Sequence, residues 1–255
     1  MINIFLFIIL TQYRSIGIIG AMDEEIALIR EAMGIEKTDT IAQRIFYIGE
    51  LSNIPCICVK AGVGKVNAAI TTEILISKYN VDAIIFTGVA GGINPEIKIG
   101  DVVIAKKVIH HDFGKITPAG FFPFDTTGFF ADSLLFEIAC KSATGIKFAS
   151  IPEKLCKEKN RYPRIISGNI ATGDQFIADE NKRRWIEKTF SVECVEMEGA
   201  AVAQVCVINK VPFVIIRSLS DLANENADID FEEFVKYAAR NSILIVQGMF
   251  KLLGK

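Results

Sequence analysis

The sequence predicts an α/β protein built as a single domain. Apolar, β-like runs alternate with helical spacings along the chain, and neither repeats nor linkers interrupt them. Hydrophobic residues make up 51% of the 255 residues, and mean hydropathy is +0.35. Such values suit parallel strands buried on both faces, or a sizeable subunit interface. The length is sufficient for one large domain with a well-buried core.

The first expected strand covers 15–19 and closes on Gly20. The helix after it carries Glu25, Leu28, Ile29 and Met33 at helical spacing. A hairpin-like pair over 45–51 and 55–60 leads into Gly62-Val63-Gly64-Lys65, with a helix over 67–79. GVGK lacks the GxxxxGK[ST] spacing of a phosphate loop, which excludes an ATPase of that type. A strand over 82–87 runs into Gly88-Val89-Ala90-Gly91-Gly92. Glycines at a strand end let backbone approach a ligand where side chains would clash. A strand over 100–105 precedes His110-His111-Asp112-Phe113, which opens a loop rich in phenylalanine, from Phe121 to Phe130. That loop reads as a pocket lid or a subunit contact, with local core as the alternative. Beyond it come a helix over 132–142, a strand over 164–170 delivering residues 171–177, and a helix over 179–190. A short β-like run then reaches Glu196 and Glu198 ahead of a small-residue helix over 200–207. The last strand, over 211–219, ends at Ser220-Asp221. A closing helix over 231–253 places Phe231, Phe234, Val235 and Ala238 on one face.

Several classes of function are excluded early. Net charge is −2, so there is no overall electrostatic case for nucleic acid. The basic run over 154–161, with Arg164 after it, reads as a solvated loop or as a polyanion-binding patch. Six cysteines without CxxC spacing, mostly in apolar runs, read as small buried hydrophobes of a reduced compartment. Two histidines are too few for a multi-histidine metal site, and no metal or cofactor is expected. The apolar stretch at the N-terminus is too short to span a bilayer. It also lacks the basic region and cleavage site of a signal peptide. Residues 1–14 are read as an extension before a domain over 15–255. A cytoplasmic location is expected, with export through that segment as the alternative.

The chemistry lies in the acids. Glu196 and Glu198 stand two apart, so one strand would present both on the same face. Each candidate segment lies at or just after a strand: Gly20 to Glu25, Gly88 to Gly92, Thr172 to Ile177, Glu196 to Glu198, and Ser220-Asp221. A shared sheet edge would gather them in one crevice. Four carboxylates with few cations suit a reaction that builds positive charge, such as glycosidic cleavage through an oxocarbenium-like transition state.

The pieces IGIIGAMDEE (16–25), GVGKVNAA (62–69), FTGVAGG (86–92), GDVVIA (100–105), HHDF (110–113), ATGDQFI (171–177), VEMEGAA (195–201) and RSLSDLA (217–223) carry a resemblance. In this order they resemble the 5′-methylthioadenosine/S-adenosylhomocysteine nucleosidases of the purine nucleoside phosphorylase-like superfamily. The resemblance implies a three-layer α/β/α sandwich around a mixed, barrel-like sheet, acting as a homodimer on a small nucleoside without cofactor. Asp221 then corresponds to the general acid that protonates adenine N7, and Glu25 to the residue that positions and activates water. Glu198 corresponds to the carboxylate holding the ribose hydroxyls, with Met197 beside the sugar and Glu196 in the same binding set. Phe176 stacks on adenine while the Ile177 backbone reads its edge. Met22 and Phe231 line the sugar and 5′-alkylthio side, and Ser220 and Arg217 support the acid segment. Val89, Ala90 and Gly91 are supporting residues; valine at 89 replaces a serine common among relatives. The cluster Asp23-Glu24-Glu25 would repel phosphate, so hydrolysis is expected over the alternative, phosphorolysis. A second alternative, from another class, is an exported polyanion-binding protein.

Overall fold

The computed structural model describes residues 13–153 and 160–254. Most of the N-terminal extension and residues 154–159 of the basic run lie outside the described residues.

β1 (Ile16–Gly20) is buried along its whole length and is followed by α1 (Asp23–Ala32). β2 (Gly34–Ile41), β3 (Arg44–Leu51) and β4 (Ile54–Lys60) form an antiparallel meander, and α2 (Lys65–Ser77) follows. β5 (Ala83–Gly92) and β6 (Val102–His110) come next. The phenylalanine-rich segment folds into a small hairpin, β7 (Gly114–Thr117) and β8 (Gly120–Pro123), and a short strand, β9 (Phe129–Phe130), paired with β6. α3 (Ser133–Thr144) starts where the Asp132 carboxylate accepts from the Leu135 N–H, an N-cap. β10 (Ile165–Thr172) leads to α4 (Glu180–Phe190), capped in the same way by Asp179 on the Lys182 N–H. β11 (Cys194–Glu196), α5 (Gly199–Asn209), β12 (Phe213–Asp221) and the long α6 (Ala227–Leu253) complete the chain.

The main sheet has ten strands in the order β11-β10-β6-β12-β5-β1-β4-β3-β2, with β9 beside β6. β11 also pairs antiparallel with the end of β5, Cys194 opposite Gly92 and Val195 opposite Gly91. That second pairing closes β5, β12, β6, β10 and β11 into a five-stranded mixed barrel. β5 and β12 are buried at every residue, which explains their unbroken apolar runs. α2 and α5 cover one face through Ala68, Leu75, Ala203 and Cys206. α1, α3 and α6 cover the other through Ile29, Ala139, Ile243 and Phe250. The result is the expected three-layer sandwich.

Three local expectations are corrected. Leu28 points outward, and α1 instead buries Ile26 and Ile29. β2 was not anticipated because its GIEKTDTI sequence is mostly exposed and carries no apolar alternation. The strand expected over 82–87 does not stop before the glycines: β5 continues through Gly92, because β11 supplies the hydrogen-bonding partner.

Candidate active site

β1, β5 and β12 run parallel, and their C-terminal ends open onto a cavity of about 260 Å³. β10 and β11 run opposite to β12 and β5, yet they deliver Gln175 to Ile177 and Val195 to Glu198 to the same cavity. The acids therefore do not share one edge of an open sheet. Barrel closure turns the β11 end back onto β5 and joins the two groups.

On one side, Glu25 lies in the first turn of α1 and reaches back. Its Oε2 accepts from the N–H groups of Ala21 (2.6 Å) and Met22 (3.0 Å), and its Oε1 from Val89 (2.9 Å). Burial pushes the Glu25 carboxyl up, while Arg217 and those three N–H groups pull it back part of the way. Gly88 makes the arrangement sterically possible: a Cβ there would lie 2.4 Å from Glu25 Oε1 and 2.9 Å from Arg217 Nη1.

Arg217 is fully buried, with its guanidinium 3.9 Å over the Phe86 ring. Its Nη2 donates to Glu196 Oε2 at 2.6 Å and lies 4.0 Å from Glu198 Oε2. Against the cost of burial, Glu196, Glu25 and Glu198 raise its pKa and keep it charged. Glu196 also accepts from the N–H groups of Glu198 (3.1 Å) and Gly199 (2.8 Å) and from the Thr172 hydroxyl. Glu198 accepts from the Gly64 N–H at 2.7 Å. Burial, with Glu196 beside it, pushes Glu198 up to about 8 against the pull of Arg217.

Asp221 occupies the other side under different conditions. The β12–β5 register slips between Leu219 and Asp221, a bulge at Ser220 that re-aims the acid toward the cavity. Asp221 accepts from the Ala223 N–H (2.9 Å) and the Ser220 hydroxyl (2.9 Å). No arginine or lysine pairs with it among the described residues. Burial pushes it up to about 6, only partly opposed by those two hydrogen bonds. Gly91 provides its room, since a Cβ there would stand 2.6 Å from Asp221 Oδ1. Between the two sides, Phe176 and Phe231 meet edge to face at 5.8 Å, and Met22, Phe231 and Val89 belong to one apolar patch.

Residues 15–251 match the family described as the phosphorylase superfamily. A 5′-methylthioadenosine/S-adenosylhomocysteine nucleosidase of Tolumonas auensis is 41% identical over 243 residues, covering 93% of this chain and 99% of that protein. The chain belongs to this nucleosidase family. Two solved nucleosidases have the same fold. The Neisseria meningitidis structure, in complex with methylthio-immucillin-A, has a TM-score of 0.80 at 37% identity, over 93% of this chain and 99% of that one. The Colwellia psychrerythraea structure, in complex with adenine, has a TM-score of 0.82 at 36% identity, over 96% of this chain and 98% of that one.

Placed on this nucleosidase fold, the expected site residues come together. Met22, Glu25, Val89, Ala90, Gly91, Phe176, Ile177, Glu196, Met197, Glu198, Ser220, Asp221 and Phe231 all line the cavity. Arg217 does not line it, and pairs with Glu196 instead of supporting Asp221. Glu198 does not share a strand with Glu196: β11 stops at Glu196, and Glu198 is the N-cap residue of α5. Of the acidic cluster after Gly20, only Glu25 faces inward; Asp23 is exposed and pairs with Lys60 at 2.6 Å. Ala21 and Gln175, within the expected segments, line the cavity too; sequence reasoning missed Val63 and Val195 in the lining, and the Gly64 N–H that holds Glu198. The glycine motif 62–64 was a signal for the latter, but its partner is far away in the chain.

Proposed function

We propose that this nucleosidase uses water to cleave the N-glycosidic bond of 5′-methylthioadenosine, S-adenosylhomocysteine and 5′-deoxyadenosine, in methionine salvage and the activated methyl cycle. The products are adenine and the 5-substituted ribose. The observation that carries the assignment of roles is the division of the cavity into a cation-balanced carboxylate group and a lone, cation-free acid. Asp221, whose carboxyl burial pushes up to about 6, gives its proton to adenine N7, so that the base leaves as a neutral molecule. As the N9–C1′ bond breaks, positive charge grows on the ribose, and the carboxyl oxygens of Glu25 and Glu198 on the opposite side face it. Glu198 accepts hydrogen bonds from the ribose hydroxyls and fixes the sugar between Met197 and Phe231. Glu25 holds water on the sugar face away from the base; the water oxygen bonds to C1′ and Glu25 takes its proton. Phe176 stacks on the base, and the Ile177 backbone reads its edge.

Phosphorolysis would need cations or hydroxyls at the nucleophile's place. Here Val89, whose N–H donates to Glu25, lines the cavity, and no arginine or lysine lines it among the described residues. The polyanion-binding reading loses two of its cations, because Arg161 and Arg164 both pair with the buried Asp101.

The protein is proposed to act as a cytoplasmic homodimer. An apolar outer face on α2 and α5, with Val66, Ile70, Val207 and Ile208 exposed, supports a second copy there. No helix among the described residues is long and apolar enough to cross a membrane. Adenine release from methylthioadenosine in phosphate-free buffer tests the reaction. Release of equal rate with and without phosphate is expected; strict phosphate dependence would make the protein a phosphorylase. Light scattering on the same preparation should give twice the 28.1 kDa chain mass; a single chain mass would remove the dimer.

A further inference from the structure

Two successive backbone N–H groups at the start of α2 hold the two halves of the site. The Gly64 N–H donates to Glu198 Oε1 at 2.7 Å. The next, on Lys65, donates to Asp174 Oδ1 at 2.8 Å. Asp174 immediately precedes Gln175, Phe176 and Ile177, the base side of the cavity. A third segment locks the junction. The Lys65 ammonium donates to Asp112 Oδ1 at 2.6 Å, and Asp112 Oδ2 accepts from the Asp174 N–H at 2.9 Å. The fit is close. The His111 N–H donates to Thr172 O at 2.8 Å, and a Cβ on Gly173 would lie 2.3 Å from His111 Nε2. The Gly64 backbone has φ +100°, and a Cβ there would sit 3.2 Å from Asp174 Oδ1.

None of Lys65, Asp112 and Asp174 lines the cavity. Lys65 and Asp112 are mostly buried, with side-chain exposures of 22% and 14%, so their pairing is less screened than a surface ion pair. Asp112 lies just past the end of β6 and Lys65 is the first residue of α2. The ion pair and its hydrogen bonds therefore set the distance between the sugar-holding carboxylate and the base-holding loop.

We propose that Lys65, Asp112 and Asp174 form a positioning clasp that fixes the spacing of the ribose and base halves of the site. The proposal rests on the assignment of Glu198 to ribose and Phe176 to adenine given above. A clasp of this kind leaves each half intact and matters only to a ligand that spans both. The energy of linking two fragments depends on their being held at the right separation.

The test compares Lys65→Met and Asp112→Asn with the wild type for binding of adenine alone and of a non-cleavable methylthioadenosine analogue, together with KM and kcat. Adenine affinity is expected to stay within about twofold, while the analogue weakens and KM rises roughly tenfold, with the pH profile unmoved. Lys65→Arg keeps the cation and should retain most of the affinity. Equal weakening of adenine and the analogue, or no weakening of either, would overturn the clasp. If the wild type itself bound no adenine, the site assignment beneath the proposal would fail, which is a separate result. Thermal melting of each variant confirms that the comparison is made on folded protein.

Discussion

Asp221 and Glu25 face the same cavity, and each is 3% exposed. Burial pushes both carboxyl groups up, but the donors and cations around them differ. Glu25 accepts three backbone N–H groups and shares a buried arginine with Glu196 and Glu198. Asp221 has one N–H, one hydroxyl and no cation, and the other charges that reach it are the acids Asp230 and Asp228. Donors and a cation favour the ionised form, whereas burial without them favours the neutral one. In the proposed reaction the two carboxyl groups take opposite tasks, one accepting a proton from water and the other giving one to the base. Both places are made by glycines of the same strand, Gly88 beside Glu25 and Gly91 beside Asp221. The glycine run expected to admit a ligand closely also makes room for these two acids, and Gly91 lines the cavity.

Removing either partner of this division should have the largest effect. Asp221→Asn cannot donate the proton and Glu25→Gln cannot accept one, so each is expected to lower the rate of adenine release by about 10²–10⁴-fold. The two should differ in stability. Asp221→Asn removes a carboxyl whose ionisation is opposed by burial, and its melting temperature at pH 7 should equal or exceed that of the wild type. The sign follows from the raised value: a group pushed up to about 6 stabilises the fold most below its ordinary range. That contribution is lost as pH rises through about 6. A marked loss of melting temperature in Asp221→Asn would contradict the cation-free account of its pocket.

Arg217→Met probes the opposite side through stability more than chemistry. It leaves Glu196 buried without its ion-pair partner, and a loss of about 3–5 kcal/mol is expected by denaturant titration. A loss under about 1 kcal/mol would mean that the backbone N–H groups around Glu196 suffice by themselves.

The same contrast explains what was legible in the sequence. The strands that build the site are apolar over most of their length, so β1 and β12 could be placed within a residue or two and the start of β5 within one, although β5 runs five residues past its expected end. β2 could not, since an exposed edge strand imposes no burial pattern on its side chains. The acids were found because a motif and its strand are neighbours in the chain. Their partners were not: Gly64 and Glu198 are 134 residues apart, and no local pattern records that contact. Arg217 was misplaced for the same reason, because its sequence neighbour is the acid segment while its ion-pair partner is Glu196. The aromatic segment after His110 was read as a lid or contact without internal structure. Its pairing of Gly114–Thr117 with Gly120–Pro123 leaves Ile116, Phe122 and Phe124 exposed, so apolar content did not locate its strands.

The most direct test of the opposed-carboxyl account is the pH dependence of kcat/KM for methylthioadenosine in phosphate-free buffer, which reports groups on the free enzyme. The account predicts an alkaline limb with its midpoint near the value of about 6 set for Asp221, because activity requires that residue protonated. A rate that instead climbs through this range toward pH 8 would make the deprotonated form the active one, and would remove Asp221 as the general acid.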